Sequence, residues 1–135
     1  MLPVDVERRL ETLGATLEGR PEIRFAYVFG SAGRGTLRPL SDVDVAVYLD
    51  DAVDPIRTRL ELIAIVAKHL GTDAVDVVVL NRAPTALVGR ILQSRRVVTE
   101  RDPFLRHRFE SNASRQFMDF RIFERRLLTT RFARG

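Results

Sequence analysis

The chain of 135 residues contains no cysteine, and Lys68 is its only lysine. Without cysteine, disulfides and thiolate metal sites are excluded, and a reducing cytoplasm is a compatible setting. No apolar stretch approaches the roughly 20 residues that a membrane helix needs. The start, Met1 to Arg8, also lacks the basic region and apolar run of a secretory leader. The expected location is therefore the cytoplasm, with no membrane contact. A chain of this length is expected to form one domain, 1–135, with one core and no room for a second. No linker or internal repeat interrupts it.

All but one of the 22 basic residues are arginine, and the formal net charge is +4. The planar guanidinium fork suits phosphate or carboxylate partners. Interleaved aromatics on basic strands, the mark of many RNA binders, are missing, so direct nucleic-acid binding is not expected.

What is present begins with a spacing: Gly30-Ser31, ten residues, then Asp42-Val43-Asp44. The turn follows a strand-like run, Phe25 to Phe29. Gly30 permits backbone angles and a close ligand approach that a side chain would forbid. If Ser31 to Arg34 opens a short helix, its free N–H groups favour a phosphate, the Ser31 hydroxyl adds a donor, and Arg34 supplies balancing charge. In Asp42 to Tyr48 the period of two sends Asp42, Asp44, Ala46 and Tyr48 to one face and Val43, Val45 and Val47 to the core face. Acids at i and i+2 lie about 6.5 to 7 Å apart along a strand. Their carboxylates can converge on hard cations, and Mg²⁺, which takes oxygen ligands and bridges carboxylates to phosphates, suits them.

A site for two ions needs a further carboxylate. Asp76 is the candidate, in a strand over 74–80 where Val75, Val77 and Val79 share one face and Asp76, Val78 and Leu80 the other. An acid in so apolar a strand is costly without a partner or metal. Asp73 reads as a turn or cap residue. His107 reads as structural or exposed, and His69 as a residue near a helix C-terminus, where a cation is mildly favoured.

Periodicity predicts a first helix over 3–18, strands over 23–30 and 42–49, and a helix opened by Pro55 and closed by Gly71. In that second helix Ile56, Leu60, Ile63, Ala67 and Leu70 form the apolar stripe. A helix from Pro84 through Gln93 and a short edge strand at 96–99 follow. A long helix spans about 103–131, with Phe109, Ala113, Phe117, Phe120, Phe123 and Leu127 on a broad stripe. Five of the eight phenylalanines fall between 104 and 123. This helix packs on the sheet and completes the core, or its last turns project and offer aromatics with Arg121, Arg125 and Arg126 to a partner protein, and both can hold for different parts of it. Beyond Thr129 the chain is expected to fray unless a partner orders it.

Gly30-Ser31-Ala32-Gly33-Arg34-Gly35 followed by Ser41-Asp42-Val43-Asp44 resembles the signature of the DNA polymerase β-like nucleotidyltransferase superfamily. The later run from Val75 to Pro84, then Leu87 to Leu92 and Val97-Val98, is similar to the minimal nucleotidyltransferase (MNT) antitoxins that pair with HEPN-domain toxins. The resemblance spans roughly residues 20–120. It implies an α/β (α+β) fold with a mixed central sheet flanked by helices, MgATP as donor, and transfer of AMP to a tyrosine hydroxyl of a partner ribonuclease toxin. By position it assigns Gly30 and Ser31 to the triphosphate, Asp42 and Asp44 to metal, and Asp76 to the third acid. Two other functions fit the residues: nucleotide transfer to an aminoglycoside-like small molecule or an RNA end, and neutralisation of a partner by binding alone. The oligomeric state is left open.

Overall fold

The register of four strands decides where every acid lies. The structure is a computed structural model; it describes residues 1–133, with side chains through Arg131. In chain order the elements are α1 (Val6–Glu11), α2 (Leu13–Glu18), β1 (Ile23–Phe29), α3 (Gly30–Arg34), β2 (Val43–Leu49) and α4 (Pro55–Leu70). They continue with β3 (Val75–Val79), a 3₁₀ turn (Leu80–Arg82), α5 (Thr85–Ser94), β4 (Arg96–Glu100) and α6 (Pro103–Ala133). The sheet runs β3-β2-β1-β4. β1 pairs antiparallel with both β2 and β4, whereas β2 and β3 are parallel and joined through α4. A parallel pair requires such a crossover, because no tight turn can bring the chain back to the same end.

The alternation read from the sequence sorts the two faces as expected. Val43, Val45, Val47 and Val77 are buried against Leu13, Leu17, Leu62 and Val66 of the helices on one side. Ala46 and Leu80 are buried with Phe25 and Tyr27 against Val88, Ile91 and Ala113 on the other. Phe25 stacks on Tyr48 at 5.0 Å between ring centroids, and Phe109 of α6 closes the group at 5.6 Å from Phe25.

The expected helix over 3–18 is two short helices that meet at Thr12. There the Thr12 hydroxyl contacts the Arg9 carbonyl, and His69 of α4 fills the joint, its ring nitrogens on Thr12 at 2.9 Å and Thr16 at 3.0 Å. His69 is therefore a packing residue of the first helices as well as a helix-terminal one.

α4 begins and ends where expected. Asp54 accepts from the Ile56 and Arg57 N–H groups, and Gly71 closes the helix at φ 72°. Its stripe is rotated, however. Thr58, Leu62, Val66 and Leu70 are buried, while Ile56 and Leu60 are 72% and 60% exposed. The buried stripe is the one that packs on the strand valines, and Arg59 Nε donates to the Val77 carbonyl at 2.7 Å beside it.

α6 divides at Phe117, which packs against Gly89 of α5. Ala113 is buried, and Leu105 and Phe109 pack on the core. Phe120, Phe123 and Leu127 are 40%, 64% and 57% exposed. The helix packs over its first half and projects over its second, so each expectation holds for a different part. It continues to Ala133, past the expected fraying point at Thr129; the rest of that expectation, Arg134 and Gly135, lies outside the described residues. No helix among the described residues is long and apolar enough to cross a membrane.

Candidate active site

β1 ends at Phe29, whose register partner on β2 is Asp44, and Asp44 is in turn the register partner of Asp76 on β3. Two strand pairings therefore carry the turn, the central acid and the third acid to one end of one face. Gly30 follows at φ 60°, in the left-handed region that favours glycine. A Cβ there would fall 3.0 Å from Asp44 Oδ2, so the carboxylate lies directly over the glycine. Asp42 stands one residue ahead of β2 and is exposed.

The surroundings of Asp44 disfavour its charge. Partial burial raises the Asp44 carboxyl above its ordinary value, and the negative charges of Asp76 and then Asp42 raise it further. A cation placed among them would relieve that repulsion. Asp76 differs from its sequence reading in one respect. It is not buried in an apolar strand but exposed, because β3 is an edge strand, and its Oδ1 accepts from Arg59 Nη2 at 3.0 Å. The partner that the desolvation argument required is thus an arginine. Among the described residues no three acidic or histidine side chains stand close enough, as placed, to enclose an ion. The donor set nevertheless fits Mg²⁺, being all oxygen and electrostatically crowded, provided that Asp76 exchanges Arg59 for the ion.

α3 forms as expected, although it starts at Gly30 and is a single turn and a half long. Gly35 ends it at φ 71°. Arg34 lies exposed in its last turn and pairs with no carboxylate among the described residues. The Gly30 N–H donates to the Ser94 hydroxyl at 2.9 Å, so this amide of the turn is already engaged within the chain. Ser94, at the end of α5, escaped sequence reading because nothing in the sequence links positions 64 apart. Arg59 escaped it too, being one arginine among many on a helix.

A second polar cluster lies deeper on the same face. Glu110 of α6 receives Arg106 at 2.5 Å, Arg95 at 2.9 Å and the Tyr27 hydroxyl at 3.1 Å. Burial alone would raise the Glu110 carboxyl, but the Arg106 hydrogen bond, the Arg95 charge and the Tyr27 hydroxyl outweigh it and hold the group below its usual range. Burial, then the nearby Glu110 charge, drives the Tyr27 phenol well upward. Tyr27 stays neutral and serves as a donor.

Residues 11–104 match the family described as polymerase beta, nucleotidyltransferase. A protein adenylyltransferase MntA of Shewanella oneidensis is 39% identical over 72 residues, which is 53% of this chain and 50% of that protein. The chain thus aligns with about half the length of that relative. Among solved structures, a toxin–antitoxin complex with AMP-PNP contains a chain 24% identical, at TM-score 0.73, with 93% of this chain and 98% of that one covered. A chain from the complex of a tri-AMPylated Shewanella oneidensis HEPN toxin with its MNT antitoxin is 21% identical, at TM-score 0.70, with 94% and 98% covered. These two likenesses concern the fold. With the family match extending over most of the chain, and with a glycine turn and paired strand carboxylates at one end of the sheet, the protein belongs to the polymerase beta nucleotidyltransferase family.

Proposed function

We propose that this chain is a protein adenylyltransferase that moves AMP from ATP to a tyrosine hydroxyl of a HEPN-type toxin partner and thereby silences it. The observation that carries the reading is the register Phe29–Asp44–Asp76, which joins a phosphate-binding turn to a carboxylate pair, in a chain related to a protein adenylyltransferase. The reaction forms a bond between the acceptor oxygen and the α-phosphorus. It breaks the bond from that phosphorus to the oxygen bridging to the β-phosphate, and pyrophosphate leaves.

The Ser31 hydroxyl and the amides that follow it bind phosphate oxygens, and Arg34 adds positive charge at the same turn. Asp76, exposed beside Asp44, takes the proton of the acceptor hydroxyl. Asp42 and Asp44, with Asp76, are the residues to hold Mg²⁺, which when bound offsets the charge of the triphosphate. Precise placement supplies much of the remaining rate, so these groups belong on strand ends rather than on a loose loop.

The outer half of α6 offers the partner its surface. Phe120, Phe123, Leu127 and Leu128 are exposed there, together with Arg121 and Arg125. Clustered exposed apolar side chains with arginine are typical of protein contacts. We place the reaction in the cytoplasm, with which a cysteine-free chain is compatible.

The test is intact mass of the co-expressed toxin with wild-type chain or with Asp42→Asn/Asp44→Asn, in the presence of MgATP. Whole AMP units added only by the wild type support the reading. A stable complex with no added mass replaces it with neutralisation by binding. No complex and no added mass redirects the search to small-molecule and RNA acceptors.

A further inference from the structure

We infer that Ser94 is a positioning residue for the nucleotide's phosphates: its hydroxyl holds the Gly30 N–H and thereby fixes the turn that grips them. The inference rests on the proposed nucleotidyl transfer and adds to it a residue from a distant part of the chain.

α3 cannot hold its own shape. It has five residues, too few to stabilise a helix in isolation, and it starts at a glycine with φ 60°. Glycine reaches either sign of φ at little cost, so the strand-to-helix switch at Gly30 is free to change conformation unless something outside it intervenes. Ser94 intervenes twice. Its Oγ accepts from Gly30 N at 2.9 Å, and its carbonyl lies so close to Gly33 that a Cβ at that glycine would fall 1.8 Å from the carbonyl oxygen. One residue of α5 thus meets both ends of the short helix, through its side chain at Gly30 and through its backbone at Gly33.

Ser94 is itself held. It is 9% exposed. The next residue, Arg95, donates to the Leu92 carbonyl at 2.6 Å and pairs with Glu110 at 2.9 Å, which locks the last turn of α5 against α6. Ser94 also consumes a donor that phosphate would otherwise use. The Gly30 amide therefore serves as an anchor and the donors after it as the grip, so removal of the hydroxyl frees one amide while loosening the rest. A single hydrogen bond of this kind corresponds to about a five- to tenfold change in an equilibrium.

The experiment uses the full chain as wild type, Ser94→Ala and Ser94→Thr. It measures calorimetric affinity for a non-hydrolysable ATP analogue with Mg²⁺ and for adenosine, together with amide exchange at Gly30 by NMR. Ser94→Ala is expected to weaken the ATP analogue about five- to tenfold, to leave adenosine unchanged and to speed Gly30 exchange. Ser94→Thr, which keeps the hydroxyl, is expected to restore both. Unchanged affinity for the ATP analogue in Ser94→Ala, or an equal loss for adenosine, overturns the assignment. If Ser94→Ala does not fold, the wild type decides: a Gly30 amide that exchanges as fast as an exposed one overturns it as well. A wild type that binds no nucleotide at all removes the proposed function and this inference together. A wild type that binds, beside an indifferent Ser94→Ala, removes only the inference.

Discussion

Asp44 and Glu110 are partly or wholly hidden carboxylates on the same face of the sheet, and their surroundings push them in opposite directions. Glu110 has two arginines and a tyrosine hydroxyl around it and is held low. Asp44 is held high by its partial burial first, with two other aspartates adding to the effect. A carboxylate that is fully paired within the chain has nothing left to bind, and its role is to fasten α6 and α5 to β1. A carboxylate left crowded by like charges stores repulsion that only an external cation or a proton can relieve. The difference separates an acid used to hold elements together from one that fits the ligand-holding role proposed for it.

The largest expected effect sharpens the contrast. Asp42→Asn/Asp44→Asn should lower adenylyl transfer by about a thousandfold or more while the protein remains folded, as judged by mass spectrometry of the acceptor and by circular dichroism. Transfer that survives in this variant would falsify the ligand-holding role. Glu110→Gln should do the reverse: urea denaturation at pH 7 should show a loss of about 2–3 kcal/mol, because two arginines lose their anion. The sign with pH follows from the lowered value. Glu110's stabilisation is present above its unfolded value of 4.5 and fades as pH falls through its folded one, so wild type and variant should converge on acidification. A gap that stays constant from pH 7 to about pH 3 would contradict the ion-pair account.

Next in size is the partner surface. Phe123→Ala/Leu127→Ala should reduce capture of the toxin about tenfold or more and change stability by no more than about 0.5 kcal/mol, since both side chains are already exposed. Equal capture would return the outer half of α6 to plain solvent-facing helix. Asp44→Asn alone should raise the melting temperature at pH 7 by on the order of 2 °C. Because the Asp44 value is raised, its penalty sets in as pH climbs above about 4, and the gain should vanish below that point. A melting temperature that falls at pH 7 would show Asp44 to be fastened like Glu110. Modest too, Arg59→Ala should cost about 1 kcal/mol, chiefly through the part-buried bond to the Val77 carbonyl since the pair with Asp76 is exposed, and should tighten rather than weaken Mg²⁺ binding in a calorimetric titration.

Much of the site was legible because its signals are local. The strand before Gly30, the interval to Asp42 and the alternation around Asp44 and Asp76 each occupy a few consecutive residues, and all correspond to real elements. The rotation of α4 was not legible, because it depends on which face meets strand valines that lie elsewhere in the sequence, and a stripe of Ile56 and Leu60 looks as apolar as the one that is buried. The break at Thr12 was hidden for the same reason, since His69 fills it from 57 residues away. For Asp76 the sequence shows an acid within an apolar strand that needs a partner or a metal, but not that the strand lies at the sheet edge, where the side chain is exposed and Arg59 is its partner.

By itself, then, the sequence determined which residues could do the chemistry. Residue type, spacing and alternation are short-range properties, and a turn followed by strand acids carries its geometry with it. Only the tertiary structure decided which groups are available. Pairing order put Asp76 at an exposed edge, packing of α6 surrounded Glu110 with cations, and the end of α5 brought Ser94 to Gly30. Availability depends on what occupies the far side of each group, and that neighbour comes from distant sequence.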